Sequence, residues 1–302
     1  MSRSGFLPPF ITPGVCGFAL LGVAGARYIY SLFQYPSLQR IEERATKPMK
    51  HVGSDDELTV FGFEAAGEHP DAAYGVTDTS PFAIRVETFI RLVGEKYTKT
   101  EGKHGSNPRG KIPFANIYGQ MVDDSQRIID AVKARTGKDP DKNISRQQLA
   151  VGCLVREMLH HSTYWIICHN LFQTEPGREV IGRFAEQRLP AGLRHLLLPK
   201  IYRDIFAYLK GAGFAALPTA DIVRKGQTQV RSLGAILGRQ KYILGTDKPT
   251  SYDVDVYAFL VFLFYEESQI RQPWVPEIKK ECSDLVTYVD RMRDRLYPDL
   301  RN

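Results

Sequence analysis

Ser80-Pro81-Phe82-Ala83 has the outline of a Cys-Pro-x-Cys redox motif, with serine in the first place and alanine in the last. With neither thiol present, dithiol–disulfide exchange is excluded. What remains is a hydroxyl at the start of a helix, and it has two uses. It can donate a hydrogen bond to a bound thiolate, whose pKa the positive end of the helix also lowers. It can equally be a plain N-cap that accepts the Phe82 or Ala83 N–H, with Pro81 in the first helical position, where proline is tolerated. Thr79 offers a second hydroxyl one residue earlier. Residue type alone leaves both uses open.

Other candidates lie further along the chain. Asp124-Ser125 opens a helix, and a helix start either receives an anionic group or is simply capped. Glu157 and His161 are four apart in one helix, hence on one face, with His160 and His169 nearby. One such pair supplies two ligands, too few for a metal site, and none is expected. His161, Tyr164 and Trp165 read either as one wall of an interdomain cleft for an apolar electrophile or as a satisfied domain contact. Thr250 to Asp253 forms a capping box with Asp in the last place, structural on either reading.

The elements that must hold these residues follow from the apolar pattern. Leu58-Thr59-Val60-Phe61-Gly62-Phe63 suits a strand. A long loop, 64–79, precedes the Pro81 helix, a length that marks a functional or mobile segment. In that helix Phe82, Val86, Phe89, Ile90 and Val93 share one face, and Glu87–Arg91 forms an i,i+4 pair on another. Tyr97 to Thr100 alternates as a second strand, and 103–111 is a polar loop. Strand-like runs at 113–118 and 121–122 flank Gly119-Gln120, a hairpin signal. The Asp124 helix turns Ile128, Ile129 and Val132 inward and stops at Gly137. This β-α-β, then β-β-α order gives a small mixed sheet with helices. The remainder reads as all helical. Ser145 to Gln148 is a capping box opening a long helix to about Leu171. The helix after Thr250 is apolar on nearly every side, as befits a core. The helix from Ile278 to Leu296 is amphipathic.

Composition is that of a folded globular protein: 302 residues, 43% hydrophobic, 25% charged, net charge +6. The mild charge and the lack of any nucleic-acid module argue against a nucleic-acid partner. Basic residues recur from Arg178 to Lys210, and they read as a solvated helix face rather than an anionic-surface patch. Cys16, Cys153, Cys168 and Cys282 have neither metal spacing nor a disulfide framework, which points to a reducing compartment for the main body.

Residues 10–33 carry one charge, Arg27, and match the roughly 20 apolar residues that a bilayer core requires. Tyr28, Tyr30 and Tyr35 suit an interfacial belt. Arg40, Arg44, Lys47 and Lys50 beyond the segment put the body on the cytosolic side of a single-pass anchor. A signal peptide ending near Ala24-Gly25-Ala26, a mitochondrial presequence and a buried helix are the rivals, so a cytoplasmic or mitochondrial location stays open. Residues 35–56, charged and with two prolines, read as a linker.

Four features in order make the chain resemble the glutathione transferase superfamily: Ser80-Pro81-Phe82 after the first strand, Ile112-Pro113 before the hairpin, Asp124-Ser125 at a helix start, and Tyr242-Ile243-Leu244-Gly245 before the Thr250 box. SPFAIRVETFIRL, GKIPF, IIDAV and KYILG, with Glu157, His161, Tyr164 and Trp165, resemble more narrowly the failed-axon-connections family, a metaxin-related branch. The resemblance implies a thioredoxin-like domain with a four-stranded mixed sheet at 57–136. An all-helical domain would follow at 137–302, with the hydrophobic segment 1–34 and the linker in front. It further implies glutathione as co-substrate, with Ser80 at its thiolate and Thr79 as backup. A cis Pro113 would let Ile112 present its backbone to the cysteinyl part, and Asp124 and Ser125 would hold the γ-glutamyl end. Small electrophiles would be the second substrate, and a homodimer is common in this superfamily. The short 103–111 segment departs from it, because transferases hold the glycyl end with a helix there; Lys103, His104, Arg109 or Lys111 would have to serve instead. Metaxins use the same fold without conjugation, so a non-catalytic membrane-associated interaction module is the alternative to an enzyme.

Overall fold

A computed structural model describes residues 43, 47–102, 107, 110–265 and 274–300. The N-terminal helix expected at 10–33 and the residues Lys103, His104 and Arg109 lie outside this set. Among the described residues, no helix is long and apolar enough to cross a membrane. The described residues from Met49 onward pack as one compact unit.

The first strand, β1 (Leu58–Gly62), is buried along its whole length. A long connection leads to α1 (Pro81–Leu92), then β2 (Thr98–Glu101), β3 (Phe114–Ile117) and β4 (Gln120–Asp123). The sheet order is β2-β1-β3-β4, with β1 and β2 parallel and the other pairs antiparallel. This is the four-stranded mixed sheet that the sequence implied. The hairpin turn sits at Tyr118-Gly119, one residue earlier than expected, with φ 50° and 92°. A two-residue turn that matches strand twist needs positive φ at both central positions, which glycine accepts freely at the second. The last part of the linker is tied down: Asn116 Nδ2 donates to the Val52 and Ser54 carbonyls at 3.0 and 2.9 Å.

Helix α2 (Ser125–Thr136) ends at Gly137 in the left-handed conformation. Helix α3 (Arg146–Met158) opens on the expected capping box: Gln148 N–H donates to Ser145 Oγ, and Ser145 N–H to the Gln148 side chain. It runs through a π-helical turn, Leu159–Thr163, into α4 (Tyr164–Gln173). Then follow α5 (Glu175–Arg188), α6 (Ala191–Gly211), α7 (Thr219–Leu237), α8 (Ser251–Tyr265), α9 (Val275–Glu281) and α10 (Ser283–Leu296).

Helix α8 is buried from Ser251 to Phe264, and it organises the molecule. Its Val254 joins the sheet core of Val60, Val86, Phe89 and Ile129. Its Tyr257, Phe259 and Phe262 belong to the helical core with Tyr288 and Tyr297. Because α8 covers the far side of α1, α1 buries Arg85, Glu87 and Thr88 as well as its apolar face. The expected Glu87–Arg91 pair therefore does not form. Glu87 takes Lys99 at 2.7 Å, and Arg91 takes Asp299 through Nη1 and Nη2.

The start of α8 hangs on Asp253. Its carboxylate accepts from Ile243 N–H, Thr250 N–H and Thr250 O–H, each at 2.8 Å, and from Tyr288 O–H at 3.0 Å. The Thr250 hydroxyl thus donates to the carboxylate, whereas a simple capping box would have it accept from the Asp253 N–H. Thr250→Ala removes one donor to that carboxylate and should cost about 1.5–3 kcal/mol. Asp253→Ala strands several buried donors at about 1–3 kcal/mol each, so urea unfolding should show a loss larger than that of Thr250→Ala.

Candidate functional site

Strand register gathers the predicted residues at one end of the sheet. Phe114, the first residue of β3, pairs with Phe61 near the end of β1 and with Asp123 at the end of β4. Pro113 directly precedes Phe114, and Asp124 directly follows Asp123. A helix that joins two parallel strands starts at the carboxyl end of the first, which brings Ser80 to the same end. The Phe61 and Phe114 rings stack there, 4.5 Å between centroids. The Ile112–Pro113 peptide is cis.

Ser80 is the N-cap of α1. Its Oγ accepts the Ala83 N–H at 3.4 Å, and its own N–H donates to Asp78 Oδ1 at 2.9 Å. A hydroxyl that accepts from its helix keeps its proton to give elsewhere, so capping and donation to a sulfur are compatible here. Thr79 is engaged differently. Its O–H donates to Glu64 at 2.6 Å and its N–H to the same carboxylate at 2.8 Å, so its hydroxyl proton is already placed.

At α2, Asp124 caps its own helix by accepting the Gln126 and Arg127 N–H groups at 3.0 and 3.3 Å. Its φ of 68° is uncommon for a residue other than glycine and marks a strained corner. Ser125 Oγ accepts from Arg85 Nη1 at 3.0 Å. Arg85 lies one turn into α1, so the two helix starts are bridged through a buried guanidinium. Its other partners are Gln126 on α2 and Asp255 on α8. Asp255 also takes Arg156 Nε at 2.7 Å and His160 Nε2 at 3.1 Å. Burial opposes its ionisation, but Arg85, His160 and Arg156 outweigh that and hold the carboxyl well below the usual carboxylate range.

His160 is the histidine that counts. It is 14% exposed against 72% for His161, which only pairs with Glu157 at 3.4 Å on the outside. The expectation that His161 joins a wall with Tyr164 and Trp165 is corrected accordingly. Phe82 packs against His160, Tyr164 and Phe259 with centroids 5.2, 5.0 and 5.5 Å away. Trp165 sits behind, against Tyr164 and Tyr208. The π turn shifts the helical phase between residues 159 and 163, which a straight 3.6-residue projection does not anticipate. Among the described residues, no group of His, Cys, Asp and Glu could hold a metal ion.

Beneath Ser80 lies a second buried cluster that motif spacing does not reveal. Lys99 Nζ sits 3.1 Å from Asp78 and 2.7 Å from Glu87, and it also reaches the Thr77 carbonyl. Thr77 O–H and Tyr97 O–H donate to Glu87 at 3.0 and 3.2 Å. Two carboxylates share one ammonium, so ionising both would leave surplus negative charge. Burial pushes Asp78 up to about 7 against the pull of Lys99. Two open grooves of about 530 and 560 Å³ lie on the helical part, and neither is lined by Ser80, Pro113 or Ser125.

Set beside known proteins, the chain matches the family model "Glutathione S-transferase N-terminal domain" over residues 81–176 and "Glutathione S-transferase, C-terminal domain" over 226–292. The chain belongs to the glutathione S-transferase superfamily. It is 27% identical to Failed axon connections of Drosophila melanogaster over 231 residues, 73% of this chain but 55% of that protein, so it spans about half of that relative's length. It is 25% identical to an isoprene-epoxide–glutathione S-transferase of Rhodococcus, over 78% of this chain and 98% of that protein. Among solved structures it shares its fold with a glutathione transferase of Phanerochaete chrysosporium, with a TM-score of 0.52 and 13% identity over 82% of this chain and 98% of the other. A beta-etherase of Sphingobium gives 0.50 and 13%, covering 78% and 95%. The N-terminal family match begins at Pro81, one residue after the serine at issue.

The Asp78 cluster gives a pH signature in this transferase fold. The folded chain holds a proton on Asp78 that the unfolded chain loses near the ordinary carboxylate pKa. Stability should therefore fall as pH rises from about 4 to about 7, over the interval between those two pKa values. Asp78→Asn should flatten that slope in denaturant titrations run across the interval.

Proposed function

We propose that the protein binds reduced glutathione across the ends of β1, β3 and β4 and uses Ser80 to hold its sulfur as the thiolate. The observation that carries this is the state of the Ser80 hydroxyl: it accepts from Ala83 and retains its proton at the positive end of α1. An arriving thiol would find a hydrogen-bond donor and a favourable dipole, the two things that lower its pKa. The cis Ile112–Pro113 peptide supports the same site, as does the corner at Asp124, with its φ of 68°, at the start of α2. The aromatic wall of Phe82 and Tyr164 supports a small apolar electrophile as second substrate. The Rhodococcus relative's name makes an epoxide the first to try. The thiolate would attack the ring carbon, the carbon–oxygen bond would break, and the oxygen would take a proton from water.

Calorimetry of the full chain with glutathione tests the binding step; no heat at millimolar ligand would remove the proposal. With binding shown, Ser80→Ala should lower turnover of an epoxide about 10–100-fold, while stability drops by no more than the cap's roughly 0.5–2 kcal/mol. A stability loss that alone accounts for the lost turnover would leave Ser80 as a cap only.

A second reading, a non-catalytic interaction module on the same fold, is favoured by the hydroxyls already engaged inside the protein. Thr79 is bonded to Glu64 and Ser125 to Arg85. The calorimetry separates the two readings.

A further inference from the structure

Helix α6 shows an unusual outer face. Among the described residues, it holds half of the large hydrophobic side chains left exposed: Leu193, Leu197, Ile201, Phe206 and Tyr208. Its Leu209 is buried with Ile166, Phe214 and Ile222, which fixes its inner side. Leu193, Leu197, Ile201 and Tyr208 fall at steps of four, four and seven, so they form one row along the helix. At 100° per residue, Lys200, Arg203 and Lys210 project between that row and Phe206. The result is a basic band bordered by apolar side chains on both sides.

The charge on this helix is one-sided. Arg194, Lys200, Arg203 and Lys210 stand against one acidic residue, Asp204. Lys200 and Arg203 share that single carboxylate, and Arg194 pairs with Glu186 on α5 at 3.0 Å. Solvation explains exposed lysines and arginines, but it does not explain an exposed row of leucine, isoleucine and tyrosine beside them. At the boundary between headgroups and acyl chains both find partners: aliphatic and aromatic groups enter the apolar edge, and long basic side chains reach back to phosphates.

We infer that the outer face of α6 docks on an anionic phospholipid bilayer, through the Leu193–Leu197–Ile201–Tyr208 row and the Lys200–Arg203–Lys210 band. Such a helix lies in the plane of the surface and does not cross it, which fits the finding that no described helix is long and apolar enough to span. The inference is independent of the glutathione site.

The test is co-sedimentation of the full chain with vesicles of pure phosphatidylcholine and of phosphatidylcholine containing about 30% phosphatidylserine. Binding to the anionic vesicles should be the stronger and should weaken with salt. Leu197→Asp/Ile201→Asp and Lys200→Glu/Arg203→Glu should each lower affinity for the anionic vesicles at least about tenfold, with the circular dichroism spectrum unchanged. If a double variant misfolds, Lys200→Ala/Arg203→Ala, confined to exposed side chains, carries the same test with a smaller loss. Variants that bind anionic vesicles as tightly as the unaltered chain overturn the proposal and assign the binding to residues elsewhere, such as the basic N-terminal segment. Equal binding to both vesicle types, or a preference for a soluble acidic polypeptide over anionic vesicles, also overturns it.

Discussion

The pairing of Arg85 with Asp255 is the contact on which the architecture turns. Both side chains are fully removed from water. Transferring an ion pair from water into a protein interior costs several kcal/mol per ion unless every remaining donor and lone pair is met. Here they are met from four directions: Arg85 reaches Ser125 and Gln126, and Asp255 gathers Arg156 and His160. One carboxylate on the central helix thereby holds α1, α2, α3 and the π turn in mutual register. The same few atoms set both the spacing of the two helix starts at the candidate site and the docking of the helical part on the sheet.

This arrangement makes the border between the two halves unlike that of two separable domains. Val254 lies in the sheet core although its helix belongs to the other half, and Thr88 of α1 meets the Tyr297 hydroxyl near the chain's end at 2.7 Å. Arg91 extends the bridge to Asp299 and packs over the Tyr297 ring. Residues at the start of α1 are thus braced by contacts contributed from the last fifty residues. Electrostatics at that helix start are mixed. The helix dipole favours a thiolate, while ionised Asp78, next but one to Ser80, disfavours it. With its carboxyl pushed up to about 7 by burial, Asp78 is only partly ionised near neutral pH, which weakens that opposition.

Much of this was legible in the chain, for reasons that are local. Alternating or continuous apolar runs of four to six residues announced three strands and the hairpin signal at Gly119-Gln120 the fourth, Ser145–Gln148 announced its helix, and SPF, IPF and DS stood in the right order along the chain. What escaped depended on long-range chemistry. Arg85 and Asp255 are 170 residues apart, and no spacing rule joins them. There was nonetheless a signal. Asp253 and Asp255 are two carboxylates in an otherwise apolar helix, and a buried carboxylate demands partners. Reading that demand would have directed attention to the arginines of the other amphipathic helices. His160, too, is set apart from His161 by a distant partner, Asp255, 95 residues along the chain, which no spacing near Glu157 reveals.

That π turn has a meaning for how this sequence can change. It holds one residue more than an α-helical turn would, so everything from Tyr164 onward is rotated by about 100° relative to an unbroken helix. Ile166, Ile167 and Leu171, all buried, lie beyond the turn and take that phase. The surplus residue therefore acts as a phase setting: losing it would re-aim every side chain of α4, although every residue in α4 itself were unchanged. A single-residue gap at this place in an alignment with other members of the superfamily would not be a neutral length difference. It would mark two chains whose α4 presents different side chains to its neighbours.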